Sequence, residues 1–121
     1  MKIFKTKMFH QWAEKIDLTD RLLRQAVEEI LLGRYDANLG GGLYKKRIAI
    51  NKRGKSGSLR TLIAFKEGRD SFFLYGFAKN EKGNIKRNEQ EGLKALAKIY
   101  FSYADNQLMR AVEVKELMEV L

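Results

Sequence analysis

Residues 50–60 read INKRGKSGSLR, and how they are read decides the fold. Gly54-Lys55-Ser56 is the closing triplet of a nucleotide-binding phosphate loop, a motif that sits between a strand and a helix. That loop also needs a glycine five residues before Gly54, and Ala49 stands there. Beyond Ser56 come Gly57 and then Leu59-Arg60-Thr61-Leu62-Ile63-Ala64-Phe65, a strand-like run that offers no helix N-terminus to a phosphate. The stretch reads instead as the glycine-rich turn of a β-hairpin.

Working outward, residues 43–50, 58–66 and 71–78 form three strand-like runs. The turns between them, 51–57 and 67–70, are rich in glycine and charge. An antiparallel meander is the natural pairing. Ahead of it lie a short strand at residues 2–5 and a helix carrying Met8, Phe9, Trp12, Ala13 and Ile16 at helical spacing. A second helix is capped by Asp17 or Thr19. Its apolar stripe is Leu22, Leu23, Ala26, Val27, Ile30 and Leu31, and Gly33 suits its end. The loop Asn38-Leu39-Gly40-Gly41-Gly42 then leads into the meander. After residues 80–88 the helical period returns with Leu93, Leu96, Ala97, Tyr100 and Phe101. A last helix is expected over 106–119, with Leu108, Val112, Leu117 and Met118 as its apolar positions. The fold class is α+β: one domain over residues 1–121, with a strand, two helices, a three-stranded antiparallel meander and C-terminal helices.

Strand parity separates two faces of the meander. Ile48, Ile50, Leu59, Thr61, Ile63, Phe65, Phe72, Leu74 and Ala78 make a core face for the first two helices. Lys45, Arg47, Arg60, Phe73, Tyr75, Phe77 and Lys79 fall on the other. Phe73 and Phe77 there can serve as stacking rings or pack under the C-terminal helices. Cations beside aromatic rings are how unpaired RNA is held, by phosphate neutralisation and base stacking.

Composition narrows the chemistry. The 121 residues contain no cysteine and one histidine, which removes disulfides, zinc-thiolate sites, a catalytic thiol and paired-histidine RNA cleavage. No cofactor or metal is expected, and His10 reads as structural or surface. The start lacks the apolar run of a signal peptide and no stretch reaches transmembrane length, so a cytoplasmic protein without membrane contact is expected. Net charge is +9, and thirty residues between Asp36 and Glu67 contain no acid. They hold Lys45, Lys46, Arg47, Lys52, Arg53, Lys55, Arg60 and Lys66. With these eight set aside, 16 basic residues face 15 acidic ones, so the whole imbalance belongs to one segment. An acid-free basic segment marks a polyanion site, and nucleic acid is the commonest polyanion.

Gly42-Leu43-Tyr44-Lys45-Lys46-Arg47-Ile48, then Leu59-Arg60-Thr61-Leu62-Ile63-Ala64-Phe65, then Phe72-Phe73-Leu74-Tyr75-Gly76-Phe77-Ala78-Lys79-Asn80 resemble the successive strand motifs of RelE/HigB-type bacterial toxins. The preceding pair of helices fits too, so the likeness spans nearly the whole chain. The resemblance implies the toxin of a type II toxin–antitoxin pair. It further implies metal-independent cleavage of mRNA on the ribosome, and silencing by an antitoxin, expected to be a helix-turn-helix protein encoded by an adjacent gene. Arg47 and Arg60 match the strand basics such toxins use at the scissile phosphate, and Lys79 matches the basic residue that ends the third strand. The chain departs from the smallest members in its longer, acid-rich C-terminal stretches.

Transesterification of RNA needs a base for the 2′-hydroxyl, an acid for the 5′-oxygen and charge on the pentavalent phosphate. Without histidine or metal, the charge contribution dominates. Arg47 and Arg60 suit it, since guanidinium pairs bidentately with phosphate and stays charged. Lys45 and Lys79, crowded by cations, are the candidate bases, with Tyr75 as base or stacking ring. Lys46, Lys52, Arg53, Lys55 and Lys82 are assigned to RNA-backbone contact, which answers the opening motif: Lys55 grips a phosphate, but not a nucleotide's. Two other functions use the same features: a ParE-like DNA gyrase inhibitor of the same fold, and a non-catalytic RNA-binding protein.

Overall fold

A computed structural model describes the backbone of residues 1–52 and 55–121 and the side chains of residues 1–50 and 58–121. The elements run β1 (Ile3–Thr6), α1 (Lys7–Lys15), α2 (Asp20–Leu31), β2 (Ala37–Asn38), β3 (Leu43–Lys52), β4 (Lys55–Ala64), β5 (Ser71–Ala78), α3 (Arg87–Phe101), α4 (Asp105–Glu113) and β6 (Leu117–Glu119). The class is α+β, as the sequence indicates. β3, β4 and β5 form the antiparallel meander, and β3 pairs with β4 from Leu43↔Ala64 to Lys52↔Lys55. Both strands therefore run further into the expected 51–57 turn than sequence suggests. Lys55 and Ser56 lie in β4, with no helix behind them, so the phosphate-loop geometry is absent.

The sheet is larger than the meander. Its strand order is β2-β3-β4-β5-β1-β6, with β1 parallel to β5 and β6 antiparallel to β1. The expected helix over 106–119 is corrected here: α4 stops at Glu113 and the chain returns as a strand. The stop is a left-handed Lys115 (φ 62°), with Lys115 N–H donating to the Val112 carbonyl and Glu116 N–H to that of Ala111 at 2.8 Å. This is the Schellman arrangement, normally built on glycine. Leu117, fully buried, then pairs with Thr6. Gly33 ends α2 by the same geometry, at φ 83°, as its position suggests. Thr19, not Asp17, caps α2, accepting from Leu22 N–H at 3.4 Å.

Helices cover both faces of the sheet and make two cores. α1 and α2 pack through Phe9, Ala13, Leu23, Ala26 and Ile30 onto Ile48, Leu59, Ile63 and Phe73. α3 and α4 pack through Ala97, Tyr100, Phe101, Leu108 and Ala111 onto Leu43, Leu62, Phe72 and Leu74. Parity alone misplaces three side chains, because the β4–β5 register slips between Leu62↔Tyr75 and Ile63↔Phe73, leaving a β-bulge at Leu74. Phe72 and Leu74 lie under α3 and α4 rather than under the first two helices. Phe73, expected on the cationic face, is fully buried against Phe9 of α1, with ring centroids 5.1 Å apart. Close packing also fixes a glycine: a Cβ on Gly76 would overlap the Trp12 ring, so only hydrogen fits there.

Candidate functional site

The bulge leaves the expected cations together. Arg47 of β3 stands directly opposite Arg60 of β4, and Arg60 directly opposite Phe77 of β5. The next row along the same face is Lys45, Leu62 and Tyr75. Directly opposed residues in an antiparallel pair hold their Cβ atoms only about 4.5–5.5 Å apart, so like charges there repel. Arg47 is exposed and Arg60 half-buried. Arg60 is steered by a 2.9 Å hydrogen bond from Nη1 to the Ser58 hydroxyl oxygen. Among the described residues no carboxylate pairs with Lys45, Arg47, Arg60 or Lys79. Opposed arginines that no carboxylate among the described residues offsets are able to receive an anion, and the guanidinium fork matches phosphate.

α3 leaves this end of the sheet open because its buried residues, Ala97, Tyr100 and Phe101, all lie in its second half. The helix is anchored far from the cations. Phe101 sits over Gly42, Lys66 Nζ lies 4.6 Å from the Phe101 ring centre, and the Arg69 guanidinium donates to the Phe101 carbonyl. Loop 79–86 and the first turn of α3 close the other side. There Lys82 Nζ donates to Glu89 Oε2 at 2.5 Å and lies 3.4 Å from the Tyr75 hydroxyl oxygen and 5.5 Å from its ring centre. The hydrogen bond with Glu89 holds the Lys82 ammonium above its ordinary pKa, and the reciprocal bond holds the Glu89 carboxyl below its own.

The rings contribute less than the sequence suggests. Phe77 is only 5 % exposed, with its ring tilted against Tyr75 at 6.0 Å, and Phe73 is on the other face. Tyr75, half-buried, is the one aromatic of the three that a base can reach. Lys79 lies just past the end of β5, exposed, its N–H donating to the Ser58 carbonyl at 3.3 Å. The depression of about 600 Å³ that it lines lies on the α1 side of the sheet, with Ile16, Ile50, Leu59 and Glu81.

Lys46 is corrected. Its side chain points to the opposite face, 8 % exposed, and its ammonium is paired with Glu29 of α2 at 2.8 Å. Hydrogen bonding to Lys46 holds the Glu29 carboxyl below its ordinary pKa. A cation so committed joins a helix to the sheet. Lys82, by contrast, lies beside Tyr75 on the cationic side, bonded to Glu89. The side chains of Lys52 and Lys55, and the whole of Arg53, lie outside the described residues. His10 sits on α1, 3.2 Å from Glu14 and away from the cationic face. Among the described residues no three His, Cys, Asp or Glu side chains group as metal ligands, and no helix is long and apolar enough to cross a membrane. Sequence reasoning missed Glu89. Its signal is the spacing Lys86-x-x-Glu89, a carboxylate three residues after a helix start, realised as a 2.8 Å bond from Lys86 N–H to Glu89 Oε1.

The mixed sheet carries two N-terminal helices on one face and, on the other, cations with no carboxylate partner among the described residues; this defines a small α+β protein with a cationic sheet face. A family model described as the RelE toxin of the RelE/RelB toxin–antitoxin system matches residues 1–120. The chain belongs to the RelE toxin family, and is thereby a toxin of a toxin–antitoxin system. No curated protein and no solved structure is significantly similar to it.

Proposed function

We propose that the chain is a metal-independent endoribonuclease that cleaves mRNA on the ribosome and so inhibits translation in the cytoplasm. The observation that carries this reading is the directly opposed pair Arg47 and Arg60, unneutralised on an open sheet face beside Tyr75. Such a pair matches the equatorial oxygens of a phosphodiester, whose charge rises as the 2′-oxygen attacks and the 5′-oxygen leaves. Preorganised cations are worth most at that moment, because they need not reorganise as charge develops.

Lys45, one row away, takes the 2′-hydroxyl proton, by way of water, as its free amine, and Tyr75 bonds the nucleotide. Lys79, and the cations of the β3–β4 hairpin (Lys52, Arg53 and Lys55), hold the RNA backbone. The site has no strong general base, so positioning by a larger partner must supply much of the rate, and the ribosome's decoding centre is that partner. The antitoxin, a small helix-turn-helix protein from an adjacent gene, brings acidic and apolar side chains to the cationic segment.

Induced expression without the antitoxin tests the reading. Growth arrest should come with new 5′ ends inside translated transcripts, and co-expression of the adjacent gene should restore growth. Arrest with intact transcripts and broken chromosomal DNA overturns the nuclease and favours a gyrase target. Binding to RNA with neither arrest nor cleavage leaves a non-catalytic RNA-binding protein.

A further inference from the structure

We propose that Glu89 is a positioning residue that, through Lys82, fixes the Tyr75 hydroxyl as a hydrogen-bond donor to the RNA; this rests on the nuclease reading above. Lys82 Nζ carries three donors and no acceptor, so at 3.4 Å from the Tyr75 oxygen it can only give a proton to that bond. The Tyr75 oxygen is therefore the acceptor, and its own proton is left for another partner. A tyrosine held in this way keeps its own O–H free to donate.

Glu89 makes that arrangement firm. Its two oxygens are divided between two tasks: Oε1 accepts from Lys86 N–H at 2.8 Å, which starts α3, and Oε2 holds Lys82 Nζ at 2.5 Å. The carboxylate is thus fixed by the helix it caps, and the ammonium is fixed by the carboxylate. The bond to Glu89 also raises the Lys82 pKa, so the ammonium stays charged across the neutral range. As the 2′-oxygen attacks phosphorus and the P–O5′ bond breaks, the departing 5′-oxygen takes a proton from Tyr75. The phenolate so formed is stabilised by the Lys82 ammonium until water reprotonates it, and the 2′-hydroxyl proton leaves to water.

Single-turnover cleavage on mRNA-programmed ribosomes tests this, with E89Q, E89D, Y75F and the E89Q/Y75F double variant. Glutamine keeps an acceptor for Lys86 N–H, so the start of α3 is preserved while the charge is lost. Y75F should lose about 10²-fold or more in kcat, in the range of a lost general acid. E89Q should lose about tenfold in kcat with KM within about twofold, and E89D should recover part of it. The double variant should be no slower than Y75F alone, because Glu89 acts only through that hydroxyl. E89Q at wild-type kcat, losses that multiply in the double variant, or a loss that merely follows a lowered melting temperature each overturn the inference while the nuclease stands. Wild-type protein that cuts nothing removes the nuclease reading and this inference with it.

Discussion

Removing Arg60 should move activity and stability in opposite directions. Arg60 faces Arg47 directly across the β3–β4 pair, no described carboxylate offsets either, and its one side-chain bond goes to Ser58. Arg60→Gln keeps most of the aliphatic stem and deletes the charge. Relief of a directly opposed like-charge pair is worth about 0.2–1 kcal/mol, and the lost bond to a half-exposed serine offsets only part of that. The melting temperature should therefore hold or rise, by no more than about 1–5 °C. Cleavage and toxicity should fall about 10²–10³-fold, the effect of losing one donor aimed at developing charge, about 3–4 kcal/mol in barrier. Thermal or urea unfolding and ribosome-programmed cleavage, measured on the same preparation, separate the two. A fall in stability above about 1 kcal/mol, with activity lost in proportion to the unfolded fraction, would falsify the reasoning and make Arg60 a structural residue.

Gly76→Ala should destabilise by about 1–3 kcal/mol, the usual effect of forcing a methyl into a packed core, since the new Cβ meets Trp12; urea denaturation reads it directly. Lys46→Ala should lower stability by leaving Glu29 against the sheet without its partner, yet RNA affinity per folded molecule should not change. An affinity loss matching that of Arg47→Ala would return Lys46 to the RNA site. Acid should unfold the protein in steps set by carboxyls whose folded pKa is depressed. Asp20, where burial is outweighed by bonds from Lys5 and Leu121 N–H, and Glu29, held by Lys46, both contribute stability present above the unfolded carboxylate pKa. That contribution fades as pH falls through about 4, so unfolding free energy should fall there and be flat from pH 6 to 8. A peak in that neutral window would contradict the assignment.

The meander, the two amphipathic helices and the position of Gly33 were legible because each is a local pattern with one physical solution. What the sequence hides is local information overridden by geometry. The bulge at Leu74 shifts parity by one, so Phe73 leaves the face its alternation implies, while Phe77 keeps its face and is buried in the core under α3 and α4. Lys115 ends α4 without glycine, and the apolar Leu117 that reads as part of the last helix's stripe is instead buried as strand β6 beside β1. Parity did place Arg47, Arg60, Lys45 and Tyr75 on one face, since the pairing across β3 and β4 is regular. It also put Lys46 on the opposite one. Only the fold shows Glu29 waiting there, and only the fold brings Glu89, far along the chain, to Lys82 and Tyr75.

The central claim is that Arg47 and Arg60 act on a phosphodiester of mRNA held by the ribosome. Its most direct test is end-group analysis of mRNA from programmed ribosomes treated with the purified protein. The account predicts a cut that leaves a 5′-hydroxyl and a 2′,3′-cyclic phosphate, and no cut with the Arg47→Ala/Arg60→Ala double variant, which remains folded. Full-length mRNA after treatment with wild-type protein, or an undiminished cut by the double variant, contradicts it.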